Sequence, residues 1–322
     1  MKEKLVAIVG PTAVGKTKTS VMLAKRLNGE VISGDSMQVY RGMDIGTAKI
    51  TAEEMDGVPH HLIDIKDPSE SFSVADFQDL ATPLITEIHE RGRLPFLVGG
   101  TGLYVNAVIH QFNLGDIRAD EDYRHELEAF VNSYGVQALH DKLSKIDPKA
   151  AAAIHPNNYR RVIRALEIIK LTGKTVTEQA RHEEETPSPY NLVMIGLTME
   201  RDVLYDRINR RVDQMVEEGL IDEAKKLYDR GIRDCQSVQA IGYKEMYDYL
   251  DGNVTLEEAI DTLKRNSRRY AKRQLTWFRN KANVTWFDMT DVDFDKKIME
   301  IHNFIAGKLE EKSKLEHHHH HH

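Results

Sequence analysis

The feature that most constrains the fold lies at the start of the chain. Leu5-Val6-Ala7-Ile8-Val9 is an apolar run of strand length, and Thr19 to Leu27 keep helical spacing. Between them stands Gly10-Pro11-Thr12-Ala13-Val14-Gly15-Lys16-Thr17, which matches the phosphate-loop pattern G-x-x-x-x-G-K-[ST] in strand–loop–helix context. Its glycines let the backbone curl so that successive N–H groups converge on an anion. The helix that follows adds its positive N-terminal end. Lys16 supplies a point charge to the outer phosphate, and the Thr17 hydroxyl is a candidate Mg²⁺ ligand. Residues 10–17 are therefore expected to hold a di- or triphosphate. What is done with it has to be read elsewhere.

The chain has 322 residues, and residues 315–322 end in six histidines and read as a purification tag outside the fold. The remainder is long enough for one large or two small domains. No window holds 18 consecutive apolar residues, so no membrane span is expected, and the first strand starts too early to leave room for a secretory leader. Cys235 is the single cysteine, which excludes an intrachain disulfide and an all-cysteine metal site. This profile is expected of a cytoplasmic protein, and a monomer is expected. Read as a bulk number, the net charge of −7 argues against nucleic-acid binding, but its distribution matters more. Lys264, Arg265, Arg268, Arg269, Lys272, Arg273, Arg279 and Lys281 form a stretch without Asp or Glu. Arg160, Arg161, Arg164, Lys170 and Lys174 form a second basic group, while the acidic excess lies elsewhere, as in Glu183 to Glu185.

Beyond the first helix, Val31-Ile32-Ser33 is a second strand signal, followed by a long polar loop from Gly34 to Lys49. In an open α/β sheet, ligands sit at that carboxyl edge. Ser73-Val74-Ala75-Asp76 is a capping box that starts a helix to about Arg91. Leu94 to Val98 reads as a buried parallel strand and ends in a second glycine-rich turn, Gly99-Gly100-Thr101-Gly102. From Gly115 to about Pro189 strand signals stop and helical patterns dominate, with Thr186-Pro187-Ser188-Pro189 as a hinge back. The expected organisation is α/β: a P-loop NTPase-like parallel sheet flanked by helices, residues 1–114 and 190–312, carrying an α-helical insertion domain, residues 115–189. Thr255-Leu256-Glu257-Glu258 is a further capping box and opens the basic helix. Leu256, Ile260, Leu263, Tyr270, Trp277 and Phe278 are expected on its buried half. Val284 to Phe287 is a late strand, and Lys296 to Leu309 a closing helix.

An ordinary nucleotide hydrolase usually has an apolar strand ending in Asp to hold Mg²⁺. Here Leu94 to Val98 ends in Gly-Gly-Thr, and only the second strand leads to a carboxylate, Asp35. A small-molecule kinase could use Asp35 beside an acceptor hydroxyl. On residue chemistry alone, phosphoryl transfer stays open, and so does ATP as the loop's ligand.

Further motifs carry a family resemblance. Asp35-Ser36-Met37-Gln38-Val39-Tyr40, Gly42-Met43-Asp44-Ile45-Gly46-Thr47-Ala48-Lys49 and Pro59-His60-His61-Leu62-Ile63-Asp64 follow the phosphate loop. Val98 to Tyr104, His155-Pro156-Asn157-Asn158, Arg207 to Met215, Ile241-Gly242-Tyr243 and Lys272-Arg273-Gln274-Leu275-Thr276-Trp277-Phe278-Arg279 complete the series. In this order they resemble the tRNA dimethylallyltransferases of bacterial type, over essentially Lys4 to Phe287.

The resemblance implies transfer of a dimethylallyl group from its diphosphate to N6 of the adenosine 3′ of the anticodon, position 37, in tRNAs reading UNN codons. The loop would then hold a diphosphate leaving group, which suits the missing Asp-terminated strand. Nest N–H groups, Lys16 and Mg²⁺ on Thr17 are placed to stabilise the charge developing there. N6 becomes acidic as the new bond forms, and Asp35 is the candidate general base. Thr101 and Arg211 are implied as diphosphate contacts; Arg207 shares the helix face of Arg211, whereas Arg210 reads as a surface salt bridge. Ser36, Met37 and Gln38, in the loop with Asp35, would meet the extruded adenine. Arg160, Arg161, Arg164, Lys272 and Arg273 would contact anticodon stem-loop phosphates. Arg124, Thr101, Gly242 and Tyr243 are implied as further tRNA contacts. His60 and His61 look like a metal pair, but neighbours on a strand face opposite ways, and packing is the expected role. Two alternatives stand beside it, an isopentenyltransferase acting on free adenine nucleotide and a P-loop kinase or NTPase; the long basic stretch favours the tRNA enzyme.

Overall fold

A computed structural model of the chain describes residues 2–111, 121–172, 188–281 and 283–320. It divides into two compact units, residues 1–109 with 189–322, and residues 110–188. In the first unit six parallel strands form one sheet: β1 (Lys4–Val9), β2 (Gly29–Ser33), β3 (His60–His61), β4 (Leu94–Val98), β5 (Asn191–Thr198) and β6 (Val284–Asp288), in the order β3-β2-β4-β1-β5-β6. The expected α/β class is what the chain adopts. Helices cover both faces, so the central strands are apolar almost throughout. Alternate side chains of β1 feed different cores: Leu5, Ala7 and Val9 pack on one face, Val6 and Ile8 on the other.

Strand order positions the site. Because β2, β4 and β1 are neighbours, their carboxyl ends lie side by side. Ser33 and Ile8 both align with Val98. Beyond that level Gly34 donates its N–H to Val98 O (2.9 Å) and Gly99 to Ile8 O (2.9 Å). The three loops therefore leave the sheet together. The turns after β2 and β4 touch so closely that a Cβ on Gly100 would stand 2.4 Å from Gly34 O, and the φ of +96° at Gly100 also favours glycine.

The first helix, α1 (Lys16–Arg26), starts three residues earlier than the apolar spacing predicts, because the left-handed Gly15 (φ 99°) turns the loop directly into it. No side chain caps α1 and its first turn holds no acidic residue, so its N-terminal dipole is left for an incoming anion. Helices α2 (Ala52–Met55), α3 (Val74–Glu90) and α4 (Gly102–Ile109) follow, and the capping box at Ser73 and Asp76 forms as the sequence predicts.

The second unit is helical where described: α5 (Glu121–Tyr134), α6 (Val136–Ile146), α7 (Pro148–Ala152) and α8 (Tyr159–Thr172). Leu127, Leu139, Leu143, Val162, Ile163 and Leu166 form its own small core. Glu167 is fully buried and is neutralised by two guanidinium groups, Arg124 (Nε to Oε2, 2.7 Å) and Arg164. The expected start of the insertion at Gly115, the hinge residues Thr186 and Pro187, the acidic run Glu183 to Glu185 and Lys174 lie outside the described residues.

The first unit continues with α9 (Arg201–Glu218), α10 (Leu220–Asp229), a short 3₁₀ turn at Gln236–Gln239, α11 (Tyr243–Leu250), α12 (Leu256–Arg279) and α13 (Phe294–His320). The closing helix contains the expected Lys296 to Leu309 and continues into the purification tag. The two histidines of β3 part as strand geometry requires. His61 Nε2 bonds Glu30 (2.8 Å), which Arg91 also grips, while His60 Nδ1 bonds its own neighbour Val58 O (2.8 Å). Among the described residues no group of three or more His, Cys, Asp or Glu could hold a metal.

Candidate functional site

The three loops at the carboxyl edge enclose a cavity of about 380 Å³ in the first unit. Thr12, Lys16 and Thr17 line it from the phosphate loop, Asp35, Ser36, Met37 and Gln38 from the loop after β2, and Gly99, Gly100 and Thr101 from the turn after β4. Helix α9 adds Ile208, Arg211, Val212 and Met215; α12 adds Leu263, Ser267, Tyr270 and Gln274. The lining is mixed: beside the ionic groups, Met37, Ile208, Val212, Met215, Ile241 and Leu263 contribute hydrocarbon.

The phosphate loop is braced rather than free. Lys16 Nζ donates to Gly10 O (2.6 Å) and Pro11 O (3.0 Å), and Arg207 Nε donates to Ala13 O (3.0 Å). Pro11, Ala13 and Val14 are buried scaffold within the loop. Lys16, Arg211 and Asp35 are close enough to shift one another. Burial and the neighbouring Arg211 push the Lys16 ammonium down to about 8, against an opposing pull from Asp35. Burial, and then Arg207, lowers Arg211. Burial raises the Asp35 carboxyl above its ordinary range, even though Met37 and Gln38 N–H groups, Lys16 and Arg211 favour its charged form. Two cations and one carboxylate leave a net positive charge in a poorly solvated pocket, which suits a polyanion. A carboxylate with a raised pKa is also a stronger base than an exposed one.

Asp35 does more than face the cavity. Its Oδ1 accepts from Met37 N (2.8 Å) and Gln38 N (3.3 Å), which folds the loop back on itself. The Gln38 amide is held at both ends: Ser33 Oγ donates to its Oε1 (3.2 Å), and its Nε2 donates to Thr47 O (3.1 Å). Ser36 meets the phenol of Tyr104. Thr101 Oγ1 accepts from Tyr104 N (3.3 Å), at the start of α4. For Mg²⁺, the Thr17 hydroxyl in a cavity shared with Asp35 and room for phosphate oxygens fits an ion that takes most of its ligands from substrate and water.

Two residues expected to contact tRNA have a different place. Tyr243 is 0% exposed, and its hydroxyl donates to Glu223. The same carboxylate accepts Ile45 N (2.8 Å) and Gly46 N (3.3 Å), and Gly46 has no side chain because the Tyr243 ring lies against it. Tyr243 thus anchors the Gly42–Lys49 loop from beneath, and cannot reach RNA without leaving the core. Gly242 caps α11, its N–H donating to Glu245 (2.7 Å). Tyr243→Phe should cost about 1–2 kcal/mol in stability, because Glu223 loses a charge-assisted partner. The shift of the urea midpoint at unchanged slope measures it.

The basic residues sort by exposure. On α12, Lys264 pairs with Asp213 (2.8 Å) and Arg268 with Asn209 (2.6 Å), both on α9. Arg265, Arg269, Lys272, Arg273 and Arg279 stay exposed along the outer face. In the second unit Arg160 and Arg161 are exposed, whereas Arg124 and Arg164 are half-buried on Glu167. Arg210 pairs with Asp206 four residues back (2.6 Å), as expected.

Sequence reading missed Gln274, Glu223, Tyr270 as a cavity residue, and Ser33. Gln274 had a legible signal. It lies on the apolar half of α12 between Ala271 and Phe278, where a polar side chain must find a partner; it accepts from Thr12 N (3.2 Å). The contact of Glu223 with residues 178 positions away had none.

The IPP transferase family model matches residues 38–281. A tRNA dimethylallyltransferase of Geobacillus thermodenitrificans is 61% identical over 310 residues, which cover 96% of this chain and 98% of the relative. Among solved structures, a full-length tRNA isopentenylpyrophosphate transferase of Bacillus halodurans superposes with a TM-score of 0.77 at 96% identity, covering 98% of this chain and 100% of that one. A eukaryotic dimethylallyltransferase captured acting on tRNA gives a TM-score of 0.77 at 32% identity, covering 95% of this chain and 80% of its own.

Proposed function

Since this chain belongs to the IPP transferase family, we propose that it transfers a dimethylallyl group from dimethylallyl diphosphate to N6 of the adenosine at position 37 of tRNAs reading UNN codons. The chain is a transferase that prenylates tRNA. The observation that carries the finer reading is the single cavity where the phosphate loop, Asp35 and an apolar lining meet. A diphosphate, a base-removable proton and a five-carbon chain each find a matching wall there.

In this reading the diphosphate lies on the N–H groups of the loop from Ala13 to Thr17 and the α1 N-terminus, with Lys16, Arg211 and Thr101 around it. As the allylic C–O bond breaks, negative charge gathers on the leaving diphosphate, and these donors hold it without reorganising. Thr17 would hold Mg²⁺, which supplies further charge neutralisation when bound. The allylic carbon bonds N6, and Asp35 takes the N6 proton. Ser36, Met37 and Gln38 face the adenine. The Gln38 amide, fixed at both ends, keeps one N–H and one lone pair for its edge. RNA phosphates fall to the exposed Arg265, Arg269, Lys272 and Arg273 in one unit, and to Arg160 and Arg161 in the other. The protein is taken to act as a cytoplasmic monomer. Among the described residues no helix is long and apolar enough to cross a membrane.

Labelled dimethylallyl diphosphate incubated with the protein and either an anticodon stem-loop or AMP tests the proposal. Label on the RNA at the adenosine 3′ of the anticodon is expected; label on AMP alone would overturn it. Lys272→Glu should weaken stem-loop binding and reduce the slope of log K against log salt by about one per lost phosphate contact. A slope equal to wild type would move the RNA off α12.

A further inference from the structure

The buried face of α12 reaches the phosphate loop, although the two lie 262 residues apart in sequence. Gln274 is 8% exposed, and its Oε1 accepts the Thr12 N–H at 3.2 Å. The amide orientation follows from the partner, since a peptide N–H requires an acceptor. At 100° per residue, Lys272 lies across the helix from Gln274, and both Lys272 and Arg273 are exposed. One rigid helix therefore shows cations outward and grips a loop peptide inward. The other braces on the loop come from Lys16 itself and from Arg207 on α9. Neither belongs to the exposed basic stripe.

We infer that Gln274 is a positioning residue that ties α12 to the diphosphate loop, so that RNA on the outer face of the helix and diphosphate in the loop bind cooperatively. This rests on the reading of α12 as an RNA-facing helix. The Thr12 N–H is taken by Gln274 rather than by an anion, which fixes the second half of the Pro11–Thr12 peptide and with it the path of the loop N–H groups that follow; an anion site binds in proportion to how well its donors are held in advance of the ligand. With Gln274 in place, orienting α12 orients the Thr12 peptide. RNA that pins the helix then lowers the ordering cost of diphosphate binding, and by linkage diphosphate tightens RNA by the same factor. Without the Gln274 amide the helix and the loop still fold, since Ala271, Phe278 and Arg207 keep their contacts, but the two sites lose this connection.

The test titrates inorganic pyrophosphate with Mg²⁺ into the full-length protein by calorimetry, with and without a saturating anticodon stem-loop. The variant is Gln274→Met, which keeps the volume and removes the amide. Wild type is expected to bind pyrophosphate more tightly when RNA is bound. Gln274→Met should bind RNA with wild-type affinity and salt slope. It should bind pyrophosphate roughly 2- to 12-fold more weakly without RNA, the range of one neutral hydrogen bond, and no more tightly with it. In steady state the KM for dimethylallyl diphosphate rises while the KM for RNA stays. If thermal melting shows Gln274→Met unfolded, Gln274→Asn withdraws the same acceptor by one methylene and carries the same expectation. The inference is overturned if the variant keeps the pyrophosphate Kd of wild type, if it keeps the RNA dependence, or if wild type has none. The RNA-free titration separates this from the functional proposal: absence of label on RNA in wild type sinks that proposal, whereas an unchanged RNA-free pyrophosphate Kd sinks this one.

Discussion

Asp35→Asn should lower kcat by roughly 10²- to 10⁴-fold, the usual contribution of a positioned general base, while stem-loop binding stays near wild type. The structure makes this substitution clean. Asparagine keeps an Oδ1 that accepts from Met37 N and Gln38 N, so the loop keeps its turn. What it loses is the ability to take a proton. Burial already raises the Asp35 carboxyl above its ordinary range. The catalytic form is the carboxylate, so the wild-type rate is expected to fall as pH drops through that raised pKa, earlier than for an exposed Asp. The Asn variant should lack this acid limb. Single-turnover rates against pH measure both; a variant with wild-type kcat removes Asp35 as the base.

Lys16→Met is expected to cost about 10²- to 10³-fold in kcat, comparable to removing one preorganised donor from a developing anion. It also makes a pH prediction. Burial and Arg211 hold the Lys16 ammonium at about 8 in the free protein. Below that value the lysine is charged and ready. Above it the lysine is neutral, and binding a diphosphate must first take up a proton. Pyrophosphate affinity should therefore weaken above about pH 8 with an uptake of about one proton. The Met variant, which has nothing to protonate, should be weaker throughout and free of that lysine-dependent limb. Calorimetry in buffers of different ionisation enthalpy counts the protons. Equal uptake in wild type and variant would assign the limb to the ligand alone.

The sequence reading carried far because the chemistry here is built on local motifs. A phosphate loop needs its glycines, its lysine and its strand–helix flanks within about 20 residues, so pattern and context are read together. Capping boxes at Ser73 and Thr255 are equally local and form where expected. What sequence does not show is a side chain's engagement with distant partners. Tyr243 sits in a recognisable motif, but its hydroxyl is used by Glu223 and its ring by Gly46. Arg124 and Arg164 look like free cations in sequence, and Glu167 shows that they also neutralise a buried charge. In α12 helical periodicity divides apolar from basic, but only α9 decides that Lys264 and Arg268 are engaged while Arg269 and Lys272 are exposed.

The sequence by itself determined the class of fold, the glycine-rich loop at residues 10–17, the loop at Asp35 and the basic helix, because each is specified by residues close together in the chain. Only the tertiary structure decided that these parts share one cavity. Strand order sets β2, β4 and β1 side by side, and backbone pairing across strands far apart in sequence leaves no local signature. That order places Asp35 within electrostatic reach of Lys16 and Arg211, and the packing of α12 brings Gln274 to Thr12. The resulting burial gives Lys16 and Asp35 their shifted proton affinities, a property no motif encodes because it depends on how much water the whole fold excludes.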